Sequence, residues 1–179
     1  TIDILVNNAG FAPLDFLENL PPEILRMVLM TNLYGPMLLY RALIPVFKKQ
    51  QHGMVVDVIS QAGVKILDQN SAYAATKWGH RALSLVMKKE LPFVQIYRLY
   101  PGLVNTKILE KNPSELSKYL ASLPALDPRE IGEFVGNLLE HPSSAKTPDI
   151  MLQPGNDGKL AEQYLPLDYL DLQDKSTEG

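Results

Sequence analysis

Tyr73 and Lys77 stand four residues apart in Tyr73-Ala74-Ala75-Thr76-Lys77, with Ser60 thirteen residues upstream and Pro101-Gly102 downstream. On a helix a spacing of four puts two side chains on one face, about 40° apart around the axis, so both heads reach one ligand. An ammonium beside a phenol favours the phenolate, and a free tyrosine, with a pKa of about 10, needs that help to act near neutrality. Ser60 adds a hydroxyl that can hold a substrate oxygen. Together they supply an acid/base, its electrostatic tuner and an orienting donor, the equipment for carbonyl and alcohol redox chemistry.

Such residues need a frame. Apolar runs at 2–6, 55–59, 94–99 and 149–153 read as buried strands, and each stops at a polar or Gly/Pro segment. Helical stretches at 21–50, 71–91 and 127–140 separate them, an alternation that predicts a parallel sheet covered on both faces. Loops that follow the strands then share one sheet edge, where α/β folds bind ligands, and Asn8, Ser60 and Pro101 all fall there. Pro36 and Pro45 predict a kink or break in the first long helix. Asp127-Pro128-Arg129-Glu130 has the composition of a capped helix start, and Asn112-Pro113-Ser114-Glu115 repeats the device. The acidic segment 158–179 is expected to fray as a tail behind a domain of residues 1–157.

Composition narrows the function. A chain of 179 residues, 46% hydrophobic and 21% charged, can bury one core. A net charge of -3 offers no basic stripe for nucleic acid and no polybasic membrane patch. The absence of cysteine excludes disulfides, thiolate metal sites and a cysteine nucleophile, and fits a cytoplasmic setting, with an upstream targeting or anchoring segment left open. His52, His80 and His141 lack metal-ligand spacing, so no metal is expected. His80 reads as packing or solvent-exposed, and Trp78 as a core or interface anchor. No uninterrupted apolar run approaches the roughly 20 residues of a membrane helix.

Asn7-Asn8-Ala9-Gly10, Asn32, Ser60, Tyr73-x-x-x-Lys77 and Pro101-Gly102-Leu103-Val104-Asn105-Thr106 occur in this order. In them the chain resembles the short-chain dehydrogenase/reductase family from Thr1 to about Gln153. The resemblance implies a Rossmann-like, doubly wound parallel α/β sheet, of which this sequence carries the C-terminal two-thirds. It implies an NAD- or NADP-dependent enzyme acting on a small carbonyl or secondary alcohol, working as a homodimer or homotetramer. It assigns Tyr73 as acid/base, Ser60 as holder of the substrate oxygen, Lys77 to the nicotinamide ribose and Asn32 to a proton-relay water. It puts Asn8, Ala9 and Gly10 on the cofactor-facing loop, and Pro101, Gly102, Val104 and Thr106 on the nicotinamide side. Residues 106–127 are expected to form an apolar substrate lid.

The sequence departs from that pattern in three places. No G-x-G-x-x-G or G-x-x-x-G-x-G phosphate loop occurs, so that loop would precede Thr1 and the chain by itself is expected to bind a dinucleotide poorly. Its first strand is then expected at a sheet edge, because the family's missing strand would lie beside it. Asp57 stands where the family commonly has asparagine, and a carboxylate within a strand must find donors. The connection from Lys77 to Pro101 is about two residues shorter than usual. A rival reading is a truncated, non-catalytic relative serving as an interaction or dimerisation module.

Overall fold

The computed structural model describes residues 1–106, 108, 115–142, 148–155 and 159–164. Five strands form one sheet in the order β1-β2-β3-β4-β5: β1 Ile4–Asn7, β2 Gly53–Val58, β3 Val94–Pro101, β4 Asp149–Pro154 and β5 Leu160–Tyr164. The first four are parallel, as the alternation with helices requires. The fifth corrects the sequence reading. Residues 160–164 are not tail but an antiparallel edge strand on β4, anchored where the Leu160 N–H donates to Glu130 Oε1 at 3.3 Å.

Helices α1 (Pro22–Leu29), α2 (Gly35–Gln50) and α3 (Ser71–Glu90) lie on one side of the sheet, and α5 (Pro128–Glu140) lies on the other; α4 is Glu115–Ala121. The period of two along the strands sorts their residues between these layers. Val55 and Ile96 join Tyr40, Leu43, Phe47 and Met87 in one core, while Val56, Tyr97 and Leu99 join Leu126 and Leu138 in the other. The Asp127 side chain accepts from Arg129 N–H at 2.8 Å, and Glu130 closes the capping box that the sequence predicted. Such a cap stabilises a helix by about 1 kcal/mol.

Pro36 and Pro45 act differently. Pro45 sits within α2 without ending it, whereas a π turn, Met30–Tyr34, joins α1 to α2 just before Pro36. A proline has no N–H to give the carbonyl four residues back, here that of Asn32, and the turn widens at that point. The joined helix Pro22–Gln50 reaches a mean hydropathy of 1.2 and is long and apolar enough to cross a membrane by length and composition. Its inner face, with Val28, Tyr40 and Phe47, belongs to the core of the sheet domain.

Among the described residues β1 pairs only with β2 and is an edge, as expected. Covering of both faces is incomplete there: Ile2, Ile4 and Val6 are 42%, 45% and 43% exposed.

Candidate active site

The parallel register places Asn7, Asp57, Arg98 and Asp149 in one row across β1 to β4. All four are buried; β1 and β2 end at or just after their members of the row, β3 runs on three residues to Pro101, and β4 begins at Asp149. One cleft of about 660 Å³ opens over these ends, lined by Asn8, Gly10, Ser60, Tyr73, Lys77, Pro101, Gly102, Val104 and Thr106. Nine of the expected site residues thus meet. Ala9 is exposed and not part of the lining, and Asn32 lies behind it.

Asn32 does local work. Its side chain accepts from Phe11 N–H at 3.1 Å, donates to the Phe11 carbonyl at 2.9 Å and reaches Thr76 Oγ1 at 3.2 Å, clamping the 8–11 loop to α3. Gly10 completes the close approach. A Cβ there would stand 3.1 Å from Asn32 Oδ1 and 3.6 Å from Lys77 Nζ, so any side chain would fill the space beside the ammonium.

Lys77 is 4% exposed and donates to the Val58 carbonyl at 3.1 Å, with its Nζ 5.6 Å from the centre of the Tyr73 ring. Burial pushes its pKa down to about 8, against the charge of Asp57, which pulls it up. Tyr73 departs from the expectation. Burial raises its pKa, and the Ser60 hydroxyl only partly opposes that, so desolvation outweighs the tuning that the Lys77 spacing suggested.

Ser60 follows β2 with φ 146 and ψ 159, a conformation reserved in practice for glycine, and its Oγ accepts from Ala62 N–H at 3.1 Å. Non-glycine residues held in such places cluster at functional sites. Gly102 lines the cleft and also packs on the Gln61 amide, which a Cβ would meet at 3.0 Å.

Asp57 finds the donors its burial demands. Asn7 Nδ2 and the Tyr40 hydroxyl each donate to it at 2.7 Å, and His80 Nε2 lies 3.1 Å from Oδ1. Burial pushes the carboxyl up, but the hydrogen bond and charge of His80, with hydrogen bonds from Ser84 and Asn7, outweigh it and hold it below the ordinary range. His80, read from sequence as packing or solvent-exposed, is a bonded core residue; its position three after Lys77 on the sheet-facing side of α3 was the available signal. Trp78 is half-buried beneath the Arg81 guanidinium, 5.7 Å from the ring centre.

The apolar wall comes partly from the expected lid, through Ile108, Leu120 and Leu123. Ile131 and Val135 of α5 and Leu14 and Leu67 add to it, and sequence reasoning missed these because they come from distant elements. Lid residues 107 and 109–114, including the second predicted cap, lie outside the described residues. Among the described residues no group of three His, Asp or Glu is placed to hold a metal.

Comparison with known proteins fits this geometry. Residues 1–117 match the short chain dehydrogenase family model. The chain is 29% identical to an alcohol dehydrogenase from Thermococcus sibiricus, solved with 5-hydroxy-NADP, and superposes with a TM-score of 0.71 over 84% of this chain and 62% of that one. It is 30% identical to the sepiapterin reductase of Chlorobaculum tepidum over 86% of this chain and 62% of the relative. It is also 31% identical to the bovine dehydrogenase/reductase SDR family member 7B, over 66% of this chain and 37% of the relative. The chain therefore spans under two-thirds of the length of these proteins. With the matched region running through Asn7–Gly10, Ser60, Tyr73, Lys77 and Pro101–Thr106, the chain belongs to the short-chain dehydrogenase family.

Proposed function

We propose that this chain carries the catalytic centre of an NAD(P)-dependent oxidoreductase that interconverts a small apolar carbonyl and a secondary alcohol. The observation that carries the reading is the convergence of Ser60, Tyr73 and Lys77 with Asn8, Gly10 and the 101–106 loop on one cleft. The space left by Gly10 beside Lys77 Nζ fits the nicotinamide end of a dinucleotide, with Lys77 for its ribose hydroxyls and Pro101, Gly102, Val104 and Thr106 on the other side. Ala9 would flank it from the loop. A bound nicotinamide cofactor supplies or accepts the hydride.

The chain's own groups handle the oxygen. Ser60 donates to the carbonyl oxygen and fixes its direction. Tyr73, which burial keeps protonated at neutral pH, gives its proton to that oxygen as negative charge develops on it. Lys77, an ammonium below pH about 8, stabilises the tyrosinate that remains. Asn32 holds the 8–11 loop against α3, and Pro36 withholds the helical N–H from its carbonyl, which suits a relay water there. The apolar lining from Leu120, Leu123, Ile131 and Val135 supports a substrate without charge. The apolar outer face of α1 and α2, with Met27, Met30, Tyr34 and Met37 exposed, supports a homo-oligomer.

The test is Tyr73→Phe in the protein, assayed by oxidation of NADPH and NADH with a panel of apolar ketones. Turnover should fall about 100-fold or more, with the circular dichroism spectrum unchanged. Turnover near the wild-type rate would remove Tyr73 from the proton transfer. No turnover by the wild type with either cofactor would favour the interaction-module reading.

A further inference from the structure

The buried row Asn7-Asp57-Arg98-Asp149 carries charges that the site residues do not use directly. Arg98 stands between two aspartates but directs its bonded donors to one: Nε and Nη2 reach Asp149 at 2.8 and 2.5 Å, while Nη1 has no hydrogen-bond partner. Arg81, the other buried guanidinium, lies over the rings of Trp78 and Tyr100, and Tyr100 itself donates to Asp149. Both guanidinium groups therefore lean toward the Asp149 end. Asp57 is left with an amide, a phenol and an imidazole.

We propose that Asp57 is a positioning residue of the active site: its carboxylate is the buried counter-charge of Lys77 and, through Asn7 and His80, ties the 7–10 loop and α3 to one point. The proposal rests on the reading of Lys77 as a cofactor-binding ammonium.

The geometry supports each part. Asn7 is the register partner of Asp57 and immediately precedes Asn8 and Gly10 of the cleft. His80 follows Lys77 by three residues, so the bond to Asp57 fixes the turn of α3 that aims the lysine. Val58, the residue after Asp57, accepts directly from Lys77 Nζ.

The carboxylate also lacks a bidentate cation of its own, its hydrogen bonds coming singly from Asn7, Tyr40 and His80. His80 Nδ1 has no partner in the core. The Ser84 hydroxyl beside them is neutral, and Tyr40 is a donor held protonated by its burial. Facing Asp57 are thus neutral groups from β1 and α2, His80, Ser84 and Lys77 from α3, and Arg98 from β3. Lys77 feels that charge: Asp57 raises its pKa against the larger effect of burial. An asparagine at position 57 keeps the shape and loses the field.

The experiment is Asp57→Asn with His80→Gln as its control, read by NMR titration of the Lys77 side chain in ¹³C-lysine-labelled protein, assigned with Lys77→Arg. The wild-type midpoint is expected near 8. Asp57→Asn should lower it by about one unit, the effect of removing one nearby opposite charge. His80→Gln keeps the carboxylate and should leave the midpoint in place while weakening cofactor binding. An unshifted midpoint in Asp57→Asn, or equal shifts in both variants, would overturn the proposal by tracing the effect to packing alone. This titration needs no turnover, so it fails or succeeds separately from the assignment of Tyr73.

Discussion

Asp57 and Asp149 are both buried carboxylates in one polar row, yet the protein treats them oppositely. Asp149 opens β4 and meets the Arg98 guanidinium through two hydrogen bonds, so its charge is cancelled on the spot. Asp57, near the end of β2, is held by Asn7, Tyr40 and His80, and its field reaches Lys77 in the cleft. A bidentate pair gives a rigid, directional pin between β3 and β4. Single hydrogen bonds from an amide, a phenol and an imidazole solvate a charge without pinning it in a fork. The difference teaches that burial alone does not mark a carboxylate as structural; what matters is whether a cation grips it bidentately.

The largest effect should come from cutting the pin. Asp149→Asn leaves Arg98, 1% exposed, without its counter-charge, a loss of about 3–5 kcal/mol. Asp57→Asn should cost only about 1 kcal/mol, because an amide can still accept from Asn7 and His80 and donate toward Tyr40. Urea unfolding of both variants measures the contrast. Equal losses would erase the distinction between pin and field.

A smaller effect separates the two in the pH profile. In the proposed mechanism, carbonyl reduction needs Tyr73 protonated and Lys77 charged. Burial raises the Tyr73 pKa, so the phenol keeps its proton across the range in which Lys77 loses its own. The reduction rate, measured where hydride transfer limits turnover, should be flat at neutrality and fall as pH rises through about 8. Asp149→Asn, if folded, should leave that midpoint alone. A fall only near the ordinary tyrosine pKa of about 10 would mean that Lys77 does not set the limb.

Much of this was legible in the residue order, and for a physical reason. Tyr73, Lys77 and Ser60 combine a helical spacing with a strand end, and local geometry turns both directly into position. The parallel strands followed from apolar runs split by helix-length connections. Register did not follow. Nothing in the chain says that Asp57 sits opposite both Asn7 and Arg98, since pairing between strands is set by the packing of whole layers. The same gap hid β5, whose five residues Leu160–Tyr164 gain a strand conformation only from β4. The depressed Tyr73 pKa inferred from Lys77 failed because desolvation, which a spacing cannot show, is the larger influence.

The smallest effect tests backbone strain at the β2 end against its absence at the β3 end. β3 runs into Gly102, whereas β2 runs into Ser60 at φ 146, where a Cβ is crowded. Strain of this kind costs about 1–3 kcal/mol. Ser60→Ala removes the hydroxyl and keeps the Cβ; Ser60→Gly removes both. Glycine normally loses about 0.5–1 kcal/mol to alanine through the greater freedom of the unfolded chain. At this position the order should reverse, with Ser60→Gly more stable than Ser60→Ala by about 1 kcal/mol in urea unfolding. Both should be impaired alike in ketone reduction, because both lack the donor for the substrate oxygen. If alanine proves as stable as glycine, the Ser60 backbone is relaxed, and its conformation reflects the loop rather than a demand of the site. If glycine wins while turnover collapses, the protein keeps a strained serine because only the hydroxyl serves the chemistry.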